Sequence, residues 1–234
     1  MKKVAVILNG CGHRDGSEIH EAVLALLAIE EAGATWECLA LDKNQAGVVD
    51  HITGDVLHEE GPGKSALAGR NMLHESARIA RGRIKNLATA RAHDYAAVII
   101  PGGNGTAKNL CNFATSDSAM TVDPDLERFL REAHGAAKRS PLPIGAICIA
   151  PIILAKLFGA EGVELTLGST TNDAAKAAQK MGAKLVPCEA SQCHVDARLK
   201  IVTTPAYMCD ASVAEVAAGI RQLAQQVLAL HLIA

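Results

Sequence analysis

Residues 4–8 (VAVIL) and 96–100 (AAVII) are unbroken apolar runs, and each leads through a glycine-rich turn into a helical pattern. A strand that is apolar at every position, with no alternation, has to be covered on both faces. That requirement points to a parallel sheet between helical layers. The stretch "PLPIGAICIAPIILAKLF", residues 141–158, repeats the succession: a strand-like run ends at Ile147-Cys148 and a helical pattern begins at once. Strands alternating with helices predict an α/β fold with a mostly parallel sheet. The 234 residues suit one domain spanning 1–234. Ligands of such sheets bind beyond the carboxyl ends of the strands. Three segments fall there: "NGCGHRDGSE", "PGGNG" and "GAICIAP".

The first helix is expected over about 16–32, with Ile19, Ala22, Val23, Leu26 and Leu27 on one inward face. Asp15 or Ser17 can cap it, and Gly33 stops it. A second strand is expected at 36–41. Residues 42–94 break the rhythm, being polar and rich in His and Gly, and read as an excursion with a helical piece near 65–81. Beyond it, helices are expected over 106–113, from Asp123 or Pro124 to 138, and over 172–181. Short strands are expected at 164–167, 184–186, 194–196 and 200–203. The last helix starts at a capping box, Ser212 to Glu215, and runs to about 231.

Aromatic residues make up 3% of the chain, so Ala, Val, Ile and Leu build the core, and the net charge of −2 suggests neither nucleic acid nor an acidic membrane as partner. No apolar run reaches the roughly 18 residues of a membrane span. The apolar run after Met1-Lys2-Lys3 is shorter than the ~7–15 residues of a signal-peptide core. Seven cysteines, an odd number, suggest a reducing, cytoplasmic setting.

Chemistry centres on Cys148. A strand-to-helix corner aims its residue at the crevice, and the amides of the new helix favour a thiolate. Gly145, Ala146 and Ala150 suit a crowded, strained turn, and Pro151 is tolerated in a first helical turn. The pattern is the cysteine counterpart of a serine nucleophile elbow, with alanine in place of the trailing glycine. The alternative is a buried structural cysteine. Glu21 and Glu18, one turn apart on the first helix, are candidate proton partners, and a carboxyl beside a thiol in a crevice has a raised pKa. The N–H groups of Gly102 and Gly103, with that of Ile149, are candidate oxyanion donors. Cys11 and Asn104 lie in strand-end turns and are candidates for lining the site. Cys188, Cys193 and His194 lack the second ligand pair of a zinc site, so no metal is expected. Gly10-x-Gly12-x-x-Asp15 lacks the third glycine of a dinucleotide fingerprint, and Asp42 lies some ten residues beyond the usual ~20.

The order of first-helix glutamate, "PGG" turn and cysteine elbow resembles the PfpI-type, class I glutamine amidotransferase-like superfamily. The stretches "VILNGCGHRDGSEIHEAVLALLAI", "VIIPGGNGTAKNLCNFA", "CIAP", "MGAKLVPC" and "KIVTTPAYM" resemble its ElbB branch, named for enhanced lycopene biosynthesis, over essentially the whole chain. The resemblance implies a flavodoxin-like three-layer sandwich, a homodimer and no cofactor. It implies Cys148 as nucleophile and Glu21 as its hydrogen-bonded acid, with Glu18 as the fallback. A connection to isoprenoid biosynthesis comes only from the branch's name. The sequence departs from the wider superfamily in three places. Ile149 stands where peptidase members carry histidine, "TLGSTTND" lacks the histidine of several glyoxalase members, and "TTPAYMCD" lacks the His–Glu pair of amidotransferases. The activity implied is a glutathione-independent glyoxalase acting on glyoxal or methylglyoxal. The alternative is an oxidative-stress sensor using the same cysteine.

Overall fold

The computed structural model describes residues 3–57, 69–135 and 141–232. Among these residues, seven strands form one sheet. They are β1 (Lys3–Ile7), β2 (Trp36–Ala40), β3 (Ile84–Asn86), β4 (Tyr95–Ile100), β5 (Ile144–Ile147), β8 (His194–Asp196) and β9 (Ile201–Thr204). Their order is β3-β2-β1-β4-β5-β9-β8, and every pairing is parallel except that of β8 with β9. Strands β6 (Glu164–Leu165) and β7 (Lys184–Leu185) form a separate parallel pair. The chain therefore has the expected α/β, flavodoxin-like architecture. Strand order reverses between β1 and β4, so the crevice where ligands bind in such sheets opens above the ends of these two strands.

The apolar runs do what two-sided burial requires. Val4 to Leu8 and Val98 to Ile100 are all at 0% exposure, and each such large side chain contributes about 1.5–3 kcal/mol of transfer free energy. Among the described residues, eight α-helices accompany the strands: α1 (Ile19–Glu31), α2 (Met72–Ile79), α3 (Thr106–Asn109), α4 (Phe113–Ser116), α5 (Pro124–His134), α6 (Pro151–Phe158), α7 (Asp173–Lys180) and α8 (Val213–Leu232). Helix α8 packs on α1 and crosses β4, β5 and β9. Gly145 makes that crossing possible: a Cβ there would lie 2.8 Å from Leu223 Cδ2 and 3.1 Å from Val227 Cγ2. Its small size serves helix-on-sheet packing and not the crowding of the elbow.

Several expectations need correction. Helix α1 starts at Ile19, and its cap is neither Asp15 nor Ser17 but Glu18, whose Oε2 accepts the Glu21 amide at 2.7 Å. Ser17 is instead held by Asn9, whose amide donates to its hydroxyl at 2.9 Å, and the Asp15 carboxylate accepts the Val49 amide at 2.8 Å. The inward face of α1 is Glu21, Ala22, Ala25, Leu26, Ala28 and Ile29, whereas Ile19, Val23 and Leu27 remain 43%, 48% and 43% exposed. The helix is rotated so that a carboxyl faces the core. The 42–94 excursion is more integral than expected, because it supplies edge strand β3. Its helix covers 72–79, and the 65–68 portion of the expected piece lies outside the described residues, as do 136–138 of the helix after Asp123. The expected helix over 106–113 is two short ones, α3 and α4.

Candidate active site

Three strand ends converge on Cys148. It follows β5 directly, and its amide donates to Thr204 O at the end of β9 at 2.9 Å. Its φ is +61°, left-handed and non-glycine. Such a conformation costs a side-chain-bearing residue about 1–2 kcal/mol and persists where the surroundings impose it. Ile147 O and the Pro151 helix start fix the corner, with the Ala150 amide donating back to Ile147 O at 3.0 Å.

The PGG turn after β4 closes over the elbow. A Cβ on Gly102 would lie 2.5 Å from Cys148 Cβ and 2.8 Å from Glu21 Oε2, so only glycine fits against both the elbow and the acid. Gly103 has φ +96°, and a Cβ there would lie 2.5 Å from the Glu18 amide. The two glycines have different tasks, which corrects the expectation that both serve an oxyanion. The Gly102 amide donates to Glu21 Oε2 at 2.8 Å and so anchors the acid. The amides of Gly103 and Ile149 face the sulfur of Cys148.

Glu21 is completely buried and is a side-chain partner of the Cys148 thiol. Burial, and then the negative charge of Glu18, push its pKa up to about 8; the Gly102 amide, the Cys148 thiol and the Tyr207 amide oppose them and lose. Glu21 Oε1 is buried with no partner of good geometry, as suits a carboxyl that carries a proton at neutral pH. The acid facing the thiol is therefore Glu21. Glu18 is a helix cap whose own amide donates to Gly102 O at 3.0 Å.

The thiol itself departs from expectation. Peptide dipoles do not make it acidic. Burial, and then the charge of Glu21, push it well above its ordinary value, and the Gly103 and Ile149 amides offset only part of this. Cys148 is 8% exposed, so desolvation of a thiolate outweighs two N–H donors. The resting pair is a neutral thiol beside a neutral acid.

The remaining candidates fall outside this pair. Burial, and then the negative charge of Glu75 on α2, raise the Cys11 thiol, while Arg78 opposes them. Asn104 is exposed, and its amide donates to His13 O at 2.7 Å, tying the PGG turn to the β1 loop. That loop is closed on itself: the Gly12, Gly16 and Ser17 amides donate to Ser17, Gly12 and Gly10 carbonyls. At the start of α1, Glu18 takes up the Glu21 amide, one of the donors a pyrophosphate would use. Among the described residues, no group of three His, Cys, Asp or Glu is arranged to hold a metal ion, and no helix is long and apolar enough to cross a membrane. Sequence reading missed Tyr207 and His20. The Tyr207 hydroxyl and His20 Nδ1 lie 2.8 Å apart, 187 positions apart in the chain. No spacing rule joins residues so distant.

A doubly wound sheet with a strained cysteine elbow and a first-helix acid defines a PfpI-type, class I glutamine amidotransferase-like protein. No family model matches the chain, but individual proteins do. It is 41% identical to the rat "ES1 protein homolog, mitochondrial", covering 97% of this chain and 84% of that protein. It is 41% identical to the human "glutamine amidotransferase-like class 1 domain-containing protein 3, mitochondrial", covering 97% and 83%. Among solved structures it is similar to an isoprenoid biosynthesis protein with an amidotransferase-like domain from Ehrlichia chaffeensis. That match has a TM-score of 0.84 and 35% identity, over 97% of this chain and 99% of that one. More distant DJ-1 superfamily structures, 15–20% identical, share the fold alone. The chain belongs to the ES1 family of glutamine amidotransferase-like class 1 proteins. The cytoplasmic expectation is overturned by these relatives, which are named as mitochondrial proteins. All seven cysteines are free thiols.

Proposed function

We propose that the protein is a glutathione-independent glyoxalase, converting glyoxal to glycolate or methylglyoxal to lactate. The observation that carries this reading is the contact of a buried acid with a pKa of about 8 and a strained thiol, with two amides turned toward the sulfur. The active form of the pair carries one proton. Ionised Glu21 takes the thiol proton as sulfur adds to the aldehyde carbon, and that proton passes to the carbonyl oxygen, giving a hemithioacetal. The Gly103 and Ile149 amides stabilise the oxygen while it is charged. Glu21 then removes the C1 proton and returns it to C2 through an enediol, and the O1 proton ends on O2. C1 is oxidised and C2 reduced within one molecule, so no external oxidant is involved. Water releases the 2-hydroxy acid from the resulting thioester and restores the thiol.

Steady-state turnover of both aldehydes by wild type, Cys148→Ser and Glu21→Gln tests this. Each substitution is expected to lower kcat/KM by about 10³-fold or more. Full turnover by Cys148→Ser would remove the mechanism. Oxidation of the same sulfur in a stress sensor is less well supported, because peroxide attacks thiolates and burial holds this thiol protonated. The assembly proposed is a homodimer. The exposed stripe Ile19, Val23 and Leu27 on α1 suits a symmetric helix-on-helix contact beside the site.

A further inference from the structure

Besides the Cys148–Glu21 pair, a second polar pair stands at the same end of the sheet. Because the Cys148 amide is bonded to Thr204 O, the turn that follows β9 lies beside the elbow. In that turn Ala206 is fully buried with φ +43°. Two adjacent strands thus end in left-handed, non-glycine residues, and such strain concentrates where a site is held in place. The strained turn sets out Tyr207, whose amide faces the Glu21 carboxyl and whose half-buried ring reaches back to α1. There its hydroxyl lies 2.8 Å from His20 Nδ1, one group donating to the other according to the imidazole tautomer. The rings are 5.9 Å apart between centroids. Burial first, then the charges of Glu18 and Glu21, raise the phenol's pKa, which keeps it a neutral donor and places it within electrostatic reach of the acid.

We propose that Tyr207 is a further catalytic residue, a hydrogen-bond donor to the second oxygen of a 1,2-dicarbonyl bound at Cys148, and that His20 is its positioning residue. This rests on the glyoxalase reading. The Gly103 and Ile149 amides surround the sulfur and therefore serve O1. When Glu21 removes the C1 proton, the C–H electron pair becomes the C1=C2 bond and the C2=O π pair moves onto O2. That charge develops one carbon farther from the sulfur, beyond the two amides. Tyr207 approaches Glu21 from β9, its hydroxyl is free to exchange His20 for a substrate oxygen, and no proton has to leave the phenol. His20 keeps the phenol in place through the exchange. The pair supplies the polar group whose absence the departures from other glyoxalase sequences left unexplained.

The test uses the full-length protein, with methylglyoxal turnover and the rate of Cys148 alkylation by iodoacetamide measured in parallel. Tyr207→Phe is expected to lose about 10- to 100-fold in kcat/KM, mainly in kcat, while alkylation stays within about twofold of wild type. His20→Ala is expected to fall less, and His20→Gln, which still bonds the phenol, to recover most of that loss. Tyr207→Phe within about twofold of wild type in turnover overturns the role. So does a loss of turnover matched by an equal loss of alkylation, because that marks a structural defect. A wild type that turns over no dicarbonyl removes the glyoxalase reading and this role together, whereas an active wild type with an unaffected Tyr207→Phe removes this role alone.

Discussion

Replacing Glu21 with Gln should stabilise the protein at neutral pH, and the gain should vanish in acid. Glu21 is wholly buried, with a pKa raised from 4.5 to about 8. Between those values the folded state holds a proton that the unfolded chain has released. The unfolded state therefore binds fewer protons, and wild-type stability falls as pH rises, by about 1.4 kcal/mol per unit within the window. Gln is the isostere of the neutral acid. Its carbonyl oxygen still accepts the Gly102 amide and its NH₂ faces the sulfur, yet it does not titrate. The difference between Glu21→Gln and wild type should grow by about 3 kcal/mol from pH 5 to pH 7.5. Urea unfolding of both proteins at the two pH values measures it, with two-state behaviour checked by coincident probes. A difference that does not change with pH, or a variant that loses stability relative to wild type as pH rises, would refute the claim that the acid is held neutral.

Gly102→Ala should cost about 2 kcal/mol or more and abolish turnover, since its Cβ would press on both Cys148 Cβ and Glu21 Oε2; thermal unfolding and the aldehyde assay check the two parts. Cys148→Gly should be more stable than Cys148→Ala by about 1 kcal/mol, because glycine tolerates φ +61°; equal stabilities would mean that the elbow stores no strain. Val23→Glu should convert the proposed dimer to monomer in sedimentation velocity while the fold is retained by circular dichroism; an unchanged dimer would place the interface elsewhere.

What the sequence made legible was local or two-sided. The apolar runs of β1 and β4 marked a covered parallel sheet because burial on both faces leaves no alternation. The Ser212–Glu215 capping box was visible because its bonds span three residues, with Ser212 Oγ and Glu215 Oε2 at 2.7 Å. The elbow at Cys148 could be read from the strand, the small residues and Pro151. Hidden features depended on tertiary placement. Strand β3 is three residues at a sheet edge, too short to carry a period. Glutamate is not among the favoured caps, so Glu18 gave no helix-start signal. The rotation of α1 that buries Glu21 and exposes Val23 reverses what its apolar pattern suggests. The thiol's pKa runs opposite to what its helix-start position suggests, because helix amides are visible in sequence and desolvation is not. Tyr207 meets His20 only through the order of strands.

The most direct test of the account is the pH dependence of methylglyoxal turnover by wild type beside Glu18→Gln. If a single proton shared by Glu21 and Cys148 marks the active form, kcat/KM rises with pH through an inflection near 8. Because the charge of Glu18 helps to raise the acid, the inflection moves lower in Glu18→Gln. A rate that is already flat across neutral pH, or an inflection that Glu18→Gln leaves in place, would contradict the buried acid as the group that governs the chemistry.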